Sequence, residues 1–308
     1  MERCYVQQSA AYAAFAVLHY SRVDERGRIV SGTIDEVGHC FNTSPAYEGE
    51  GGVMIPTFYI NLDRHPDRRA FIEKQLTEIG IIAERISGVD GRHLPPDIAK
   101  CFSFANHLTD GEVGCAASHL KVWQIIVDRD VPASLILEDD ALLSAAIANV
   151  LPTLLSTLPS DWDIVRLCRT SKRAVRPIAK LPEGRMLVRY SRVPVGAAGY
   201  LVSRSGAVKL LRPRHIDCPC DIEIAHPWRL GLSVFGVEPI LITQARSVIP
   251  SSIGNRGAGL PTWKRALPDP ARIIHNLRQL GPYWWVRCLA LNATRHLRQH
   301  NEQSLPQL

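Results

Sequence analysis

The sequence lacks any long apolar run. No hydrophobic stretch approaches the roughly 20 residues that a helix needs to cross a bilayer. The best amino-terminal candidate, Ala10 to Leu18, is short and follows Glu2 and Arg3. We therefore expect neither a membrane-spanning helix nor a signal peptide, and we predict a cytoplasmic protein.

Paired cysteine motifs are also missing. Eight cysteines are scattered through 308 residues without a CxxC pair, which argues against a structural zinc framework, and a chain of this length does not need disulfides to hold its core. Cys218 and Cys220 could form a soft-metal or redox pair, but two ligands are too few for a structural zinc site. Buried free thiols are the expected state.

Net positive charge is scarce before residue 264. Of the net charge of +6, the segment from Lys264 onward carries +5, with seven basic and two acidic residues. This segment also contains Trp284 and Trp285, and Gly281-Pro282 divides it into two stretches with helical spacing of apolar and basic residues. The pattern indicates docking on an anionic membrane surface rather than nucleic-acid binding. The alternative is a helix that packs on the rest of the protein with its arginines in solvent.

The most informative segment is an apolar run, Leu135-Ile136-Leu137, that ends in three carboxylates, Glu138, Asp139 and Asp140. Adjacent negative charges repel one another, and hard cations such as Mg²⁺ or Mn²⁺ make such a cluster tolerable. Along an extended strand Glu138 and Asp140 would share one face and Asp139 would point to the other. The alternative is a solvated acidic loop after a buried strand.

Strand and helix patterns alternate through the middle of the chain. Strands are predicted at Thr57 to Leu62, at the acidic run and at Ile164 to Leu167. Helices are predicted before Gly80, after the capping-box sequence Thr109 to Glu112, and over Ala141 to Leu158 with a break near Pro152. This alternation predicts a doubly wound, mainly parallel α/β sheet flanked by helices.

Other polar groups are candidates for ligand contacts. Arg68 follows the first strand, at a turn where helix amides and arginine could hold a diphosphate. Arg169 to Arg192 contains eight basic residues and one acid, and we interpret it as a long cationic loop that either recognises a phosphorylated acceptor or is only solvated. Asp221 and Glu223 form a second acidic group that could supply a base or simply favour a helix N-terminus.

Several segments, in order, resemble family 25 glycosyltransferases, which include lipooligosaccharide galactosyltransferases and the galactosyltransferase domains of collagen-modifying enzymes. The resemblance covers about residues 55–257. The matching segments are Ile60-Asn61-Leu62, Asp67-Arg68-Arg69, Gly111 to Cys115 with Ser118-His119-Leu120, Leu135 to Asp140, Gly199 to Ser203, and Pro219-Cys220-Asp221. Cys220 stands where family members often carry valine, and the acceptor-side loop has no recognisable pattern.

The resemblance implies a glycosyltransferase A-type fold, a nucleotide-sugar donor, most often UDP-galactose, and inversion at the anomeric carbon. It implies a Mn²⁺ or Mg²⁺ ion held by Glu138 and Asp140, and an acceptor hydroxyl on a cell-surface glycan such as lipooligosaccharide, free or lipid-linked. We expect Asp221 to be the catalytic base, with Glu223 as second choice. The expected donor-binding residues are Asn61, Arg64, Arg68, Ser118, His119, Asp139 and Gly199.

Three regions follow from these patterns. We expect residues 1–53 to be an extension that need not belong to the natural protein, residues 54–260 to be the catalytic domain, and residues 261–308 to be a basic helical tail on the cytoplasmic face of the inner membrane. Two other functions stay open: a non-catalytic, membrane-tethered sugar-binding protein, and a metal-dependent phosphohydrolase. The phosphohydrolase is disfavoured because Asp140-Ala141-Leu142 lacks the expected nucleophile motif.

Overall fold

The computed structural model describes residues 55–102, 107–245 and 269–303, together with five short strands within residues 18–53. For those five strands and for residues 295–303 only the backbone is described. The predicted boundaries near Met54 and residue 260 lie outside the described residues. Strands β1 (Leu18–Val23), β2 (Ile29–Ile34) and β3 (Cys40–Phe41) form one antiparallel sheet, and β4 (Glu48–Gly49) pairs with β5 (Gly52–Val53).

The main sheet has eight strands. In chain order the remaining strands are β6 (Thr57–Asn61), β7 (Glu84–Ser87), β8 (Ala133–Glu138), β9 (Ala141–Leu143), β10 (Ile164–Arg166), β11 (Val175–Lys180), β12 (Met186–Tyr190), β13 (Gly199–Ser203), β14 (Val234–Glu238) and β15 (Ile242–Gln244). Their order in the main sheet is β11-β12-β14-β10-β13-β8-β6-β7, and β9 pairs separately with β15. Six of the eight strands run in the same direction and β12 and β13 run against them, so the sheet is mainly parallel, as predicted.

The helices begin and end at recognisable signals. They are α1 (Pro66–Ile79), α2 (Pro96–Cys101), α3 (Asp110–Asp128), α4 (Ile147–Thr157), α5 (Arg204–Leu210), α6 (Cys220–Ile224), α7 (Pro270–Leu280) and α8 (Pro282–Gln303). Gly80 ends α1 in the left-handed conformation at φ 74°, and Thr109 and Glu112 form the predicted capping box of α3.

Two apolar layers cover the two faces of the sheet. Along β8, Ile136 packs in the layer that contains α3, whereas Leu135 and Leu137 pack in the layer that contains α1 and α4. Because side chains alternate along a strand, Glu138 continues the α3 face. The same sequence pattern that buries β8 on both faces therefore aims its terminal carboxylate at α3. The six cysteines of the described part form no disulfide, and all but the half-buried Cys115 are buried.

Two predictions of local structure were wrong. Residues 141–158 begin as the strand β9, which pairs with β15 and exposes Leu142 between buried neighbours, and helix α4 continues through Pro152 without a break. The carbonyl that Pro152 leaves unbonded belongs to the exposed Ala148, where water can satisfy it. The region of residues 169–192 is not a long loop, since it forms the β11–β12 hairpin at the sheet edge.

The carboxyl-terminal helices pack on this hairpin. Arg176 donates from Nη1 to the carbonyl of Leu280 over 2.7 Å, and the Oδ1 of Asn292 accepts the backbone N–H of Ala174 over 2.8 Å. Leu280 and Cys288 are buried against Ala174. The tail helices therefore pack on the protein through one face, and docking of the tail on a membrane stays a prediction. In the part of the chain that the structure describes, no helix combines the length and the apolar character of a membrane span.

Candidate active site

The three carboxylates lie where β8 ends, in the middle of the sheet. β6 and β13 flank β8, so Asn61 at the end of β6 and Gly199 at the start of β13 lie at the same edge. The first turn of α1 brings Arg68 to this edge. In α/β sheets the carboxyl ends of parallel strands are where ligands bind. The sheet topology thus brings together residues that are about 60 to 140 positions apart in sequence.

Asp139 is an internal anchor. Its Oδ2 accepts from Asn61 Nδ2 over 2.8 Å, and its Oδ1 accepts from Arg68 Nε over 2.8 Å and also from Arg68 Nη2. Asp139 is buried and its ion pair with Arg68 is almost completely shielded from water. The expectation that Asp139 contacts the donor does not agree with these contacts, because both of its oxygens are already bonded within the protein.

Asp140 has a buried oxygen with no hydrogen-bond partner among the described residues, namely Oδ1. Its Oδ2 lies 3.5 Å from Arg68 Nη2, and its side chain is 14% exposed. The pKa of Asp140 is raised to about 6, mainly by burial and next by the negative charge of Glu138, while Arg68 and a hydrogen bond with Gln244 act in the opposite direction. A buried carboxylate oxygen without a partner, next to a second carboxylate, is an environment that suits a hard cation.

Glu138 contacts a buried chain of hydrogen bonds. The Nε2 of His119 lies 3.4 Å from Glu138 Oε1, and the Nδ1 of His119 lies 2.8 Å from the hydroxyl of Tyr200. Trp123 donates from Nε1 to the same hydroxyl over 2.9 Å. Because the Tyr200 hydroxyl already accepts a hydrogen bond from Trp123, we assign its own proton to a hydrogen bond with His119 Nδ1. The imidazole proton of His119 then lies on Nε2 and faces Glu138.

His119 therefore orients Glu138. The ring is almost completely buried by Trp123, Tyr200 and the strand end. Its predicted role as a donor contact stays a prediction. Sequence analysis missed Tyr200, although it lies in a quoted motif, because only the register that sets Tyr200 opposite Ile136 shows that its hydroxyl meets α3.

Three other expected donor contacts are structural. Asn61 is 1% exposed and bonds Asp139, the His65 carbonyl and Arg85. Ser118 donates to the Gly114 carbonyl and accepts the N–H of Val89, so it fixes a loop on α3. A side chain on Gly199 would collide with Ile242, so this glycine serves packing rather than ligand approach.

Arg64 lies at the rim of the site and is 44% exposed. Its Nη1 pairs with Asp90 Oδ2 over 2.7 Å, and Arg92 bonds the same carboxylate. The rim is therefore cationic beside the buried carboxylates, and donor binding by Arg64 and Arg68 stays a prediction.

The two carboxylates of the second acidic group, Asp221 and Glu223, lie in different environments. Glu223 is buried and receives two hydrogen bonds from Arg214, at 2.7 Å from Nε and 2.6 Å from Nη2. This ion pair makes Glu223 a structural residue and argues against its predicted role as a base. Asp221 is half-buried in the first turn of α6, a helix that packs against α3.

A family model described as "Glycosyltransferase family 25 (LPS biosynthesis protein)" matches residues 54–222, more than half of the chain. The chain belongs to glycosyltransferase family 25. The matched span contains Arg68, His119, all three carboxylates and Asp221, and it ends before the tail helices.

Relatives of this family member carry galactosyltransferase names. It is 30% identical to "Procollagen galactosyltransferase 1" of Danio rerio over 70% of this chain and 42% of the relative. It is also 30% identical to "Inactive glycosyltransferase 25 family member 3" of Mus musculus over 60% of this chain and 37% of the relative. The chain thus spans less than half the length of these curated relatives.

A solved structure titled "crystal structure of a glycosyltransferase involved in the glycosylation of the major capsid of PBCV-1" aligns with 65% of this chain and 96% of its own, at 10% identity. Its TM-score of 0.29 is too low to carry an argument.

Proposed function

We propose that this family 25 member transfers galactose from UDP-galactose to a hydroxyl of a cell-surface glycan, such as lipooligosaccharide, with inversion at the anomeric carbon and with Mn²⁺ or Mg²⁺. The family description and the names of the galactosyltransferase relatives support the sugar and the substrate class.

One observation carries the proposal: the unpartnered buried oxygen of Asp140 beside Glu138. These two side chains offer the hard oxygen ligands that Mn²⁺ and Mg²⁺ take, and a bound cation would neutralise charge on the departing diphosphate. Asp139 takes no part in this set because it holds Arg68. Arg68 is thereby fixed at the same edge, where its guanidinium adds positive charge to an anionic leaving group.

Asp221 is the proposed base that accepts the proton of the acceptor hydroxyl. Burial raises the pKa of the adjacent Cys220 thiol, and Cys115, Glu223, Asp221 and Glu138 raise it further, so Asp221 and Glu138 both act electrostatically on the same buried thiol. A carboxylate on α6 near the strand end can thus serve the site without binding the cation. Because Glu223 is paired with Arg214, Asp221 is the better candidate of the two.

A non-catalytic sugar-binding protein is the main alternative, and the "Inactive" name of the mouse relative gives it weight. Against it, this chain keeps Glu138 and Asp140 in a geometry that costs electrostatic repulsion and that a binding protein has no evident need to keep. The phosphohydrolase would require an aspartate nucleophile, whereas Asp139 is bonded to Asn61 and Arg68.

A donor screen tests the proposal. The full chain is incubated with a panel of nucleotide sugars and glycan acceptors, and nucleoside diphosphate release is measured with Mn²⁺ and with a chelator. We expect release from UDP-galactose that needs the divalent ion and that Asp140→Asn removes. Binding of UDP-galactose without release under any condition would favour the non-catalytic alternative, and release of inorganic phosphate would favour the phosphohydrolase.

We also propose that the tail helices dock on the anionic cytoplasmic face of the inner membrane, near a lipid-linked acceptor. Their outward face carries large apolar side chains although their inward face packs on the hairpin. These exposed residues are Ile274, Tyr283, Val286, Leu289 and Leu291. Arg287 stacks over Trp284 beside them, so cation and aromatic lie together as at a headgroup boundary.

A further inference from the structure

Cys115 forms a second cluster with His119 and Glu138. Cys115 and His119 are four residues apart on α3 and therefore lie on the same face of the helix, one turn apart. The end of β8 adds Glu138. The thiol sulfur, an imidazole nitrogen and a carboxylate oxygen of these residues all lie within 4.8 Å of one another. His119 is buried, whereas Cys115 and Glu138 are half-buried, so an ion can reach the cluster from the site.

The chemistry of these donors differs from that of the Glu138 and Asp140 pair. Thiolate, imidazole and carboxylate are the ligand types of Zn²⁺, which commonly takes three protein ligands and leaves a fourth position open. Thiolates favour soft or borderline ions, whereas Mg²⁺ and Mn²⁺ favour oxygen. With bonds of about 2.0–2.3 Å, the ligands of a tetrahedral zinc ion lie roughly 3.3–3.8 Å apart. The His119 to Glu138 distance of 3.4 Å already agrees.

Tyr200 supplies the support that a metal-bound histidine needs. Its hydroxyl lies 2.8 Å from His119 Nδ1, the ring nitrogen that faces away from Glu138. Metal-bound histidines almost always bond a polar group through the other nitrogen, which fixes the ring and its tautomer. On binding, the Cys115 thiol proton would pass to solvent and the imidazole proton would move to Nδ1. The Tyr200 hydroxyl can accept a hydrogen bond from this Nδ1–H in addition to the one from Trp123.

We propose that Cys115, His119 and Glu138 form a site for Zn²⁺ or a similar thiophilic ion. Because Glu138 would serve both ions, occupancy of this site removes a ligand from the catalytic cation and inhibits transfer. The inhibition rests on the proposed function, but the binding does not.

Cobalt titration of the full chain tests the binding. Co²⁺ is used as a spectroscopic probe, because a cobalt ion bound to a thiolate shows a charge-transfer absorption in the near ultraviolet that oxygen-bound cobalt lacks. We expect the band in the wild-type protein, its loss on addition of Zn²⁺, and its absence from Cys115→Ser. The matched control is Cys101→Ser, which removes a thiol from α2 and should keep the band. No band in the wild type, or a full band in Cys115→Ser, would overturn the site.

Two further measurements separate binding from function. Tyr200→Phe removes the support of His119 and should weaken cobalt binding roughly 10- to 100-fold; unchanged affinity would contradict the assigned role of Tyr200. Zn²⁺ should inhibit Mn²⁺-dependent UDP release at the concentrations that displace cobalt, and Cys115→Ser should weaken this inhibition. If no sugar donor is turned over, the cobalt band still decides the binding, and inhibition that is equal in Cys115→Ser would overturn competition for Glu138.

Discussion

Arg68 donates from Nε to Oδ1 of Asp139 over 2.8 Å, across 71 positions of sequence. This ion pair gives the three carboxylates of the acidic run different roles. Asp139 turns toward α1 and holds Arg68, whereas Glu138 meets α3 and Asp140 keeps an unpartnered oxygen. Three adjacent carboxylates are compatible because one is neutralised by an internal arginine and only two are available to a cation.

The first prediction concerns the stability that this pair provides. Asp139→Asn should lower the free energy of unfolding by about 3 kcal/mol, the usual cost of removing one partner of a buried ion pair. Denaturant unfolding of the purified chain measures it. The control is Asp161→Asn, an exposed carboxylate 3.8 Å from Arg189, which should change stability by less than about 1 kcal/mol. Equal effects of the two substitutions would show that Asp139 is not an anchor.

The second prediction concerns the cation. Asp140→Asn should abolish most UDP release without lowering the melting temperature measured in chelator, because the substitution relieves repulsion among neighbouring carboxylates. In the wild type, chelation should stop turnover, and Mn²⁺ or Mg²⁺ should restore it. Full turnover in excess chelator would contradict the assignment of Glu138 and Asp140 as ligands.

The third prediction separates the two acids of α6. Asp221→Asn should lower kcat by roughly a hundredfold or more with little change in KM for the donor, since general-base catalysis is typically worth that much. Glu223→Gln should instead reduce stability, because Arg214 loses its buried charged partner. Steady-state kinetics and thermal melts of both variants check this. An Asp221 effect confined to the donor KM would make it a sugar or metal contact.

Local signals explain which parts of the fold the sequence predicts well. Gly80 and the Thr109 capping box act within one helical turn, and both helix ends lie where the sequence places them. The β11–β12 hairpin contains a short turn that was missed: Glu183 and Gly184, between the two strands, both have positive φ, at 59° and 67°. A tight turn with positive φ at its two central residues suits a β-hairpin, but the many arginines around it suggested a loop.

The site depends on contacts that sequence alone does not show. The carboxylates and Asp221 could be chosen as candidates from their residue types. Asn61 looks like a donor contact until the structure shows it bonded to Asp139 and Arg85. Glu223 is likewise indistinguishable from Asp221 until the fold brings Arg214 against it. Which polar groups are already satisfied is a tertiary property, and it decides which remain available for chemistry.

The fourth prediction is an acid sensitivity of the docked tail. Burial lowers the pKa of His275 on α7 to about 4, with Arg189 and Arg278 contributing in the same direction. The folded state therefore favours neutral His275, and its stability is lost as the pH falls from the ordinary value of 6.5 toward 4. Melting curves should show wild type losing more stability over this range than His275→Gln, with no such extra loss above pH 7.5. Parallel pH profiles of the two proteins would contradict it.

The last prediction concerns the outward face of α8. Its inward face is already covered, since Cys288 packs with Leu280 of α7 against Ala174, so removing the tail would also uncover the hairpin. Point variants are therefore the sharper test. Val286 and Leu289 are 58% and 51% exposed, and neither needs to move for a membrane to cover it. The double variant Val286→Glu with Leu289→Glu should abolish binding to anionic vesicles. It would place negative charge in the membrane interface, and it would offset nearby basic residues, each of which contributes about 1 kcal/mol to membrane binding.

The control for this test is Ile82→Glu, which adds one of the two negative charges on a 76% exposed apolar side chain beyond α1. Flotation of the full chain with vesicles of phosphatidylcholine, with and without phosphatidylglycerol, measures the binding. We expect wild type and Ile82→Glu to float with the anionic vesicles, to be released by high salt, and to ignore the neutral ones. Because the control changes net charge without touching α8, flotation lost equally in both variants would point to bulk electrostatics. Flotation retained in the α8 variant would assign this apolar face to another partner.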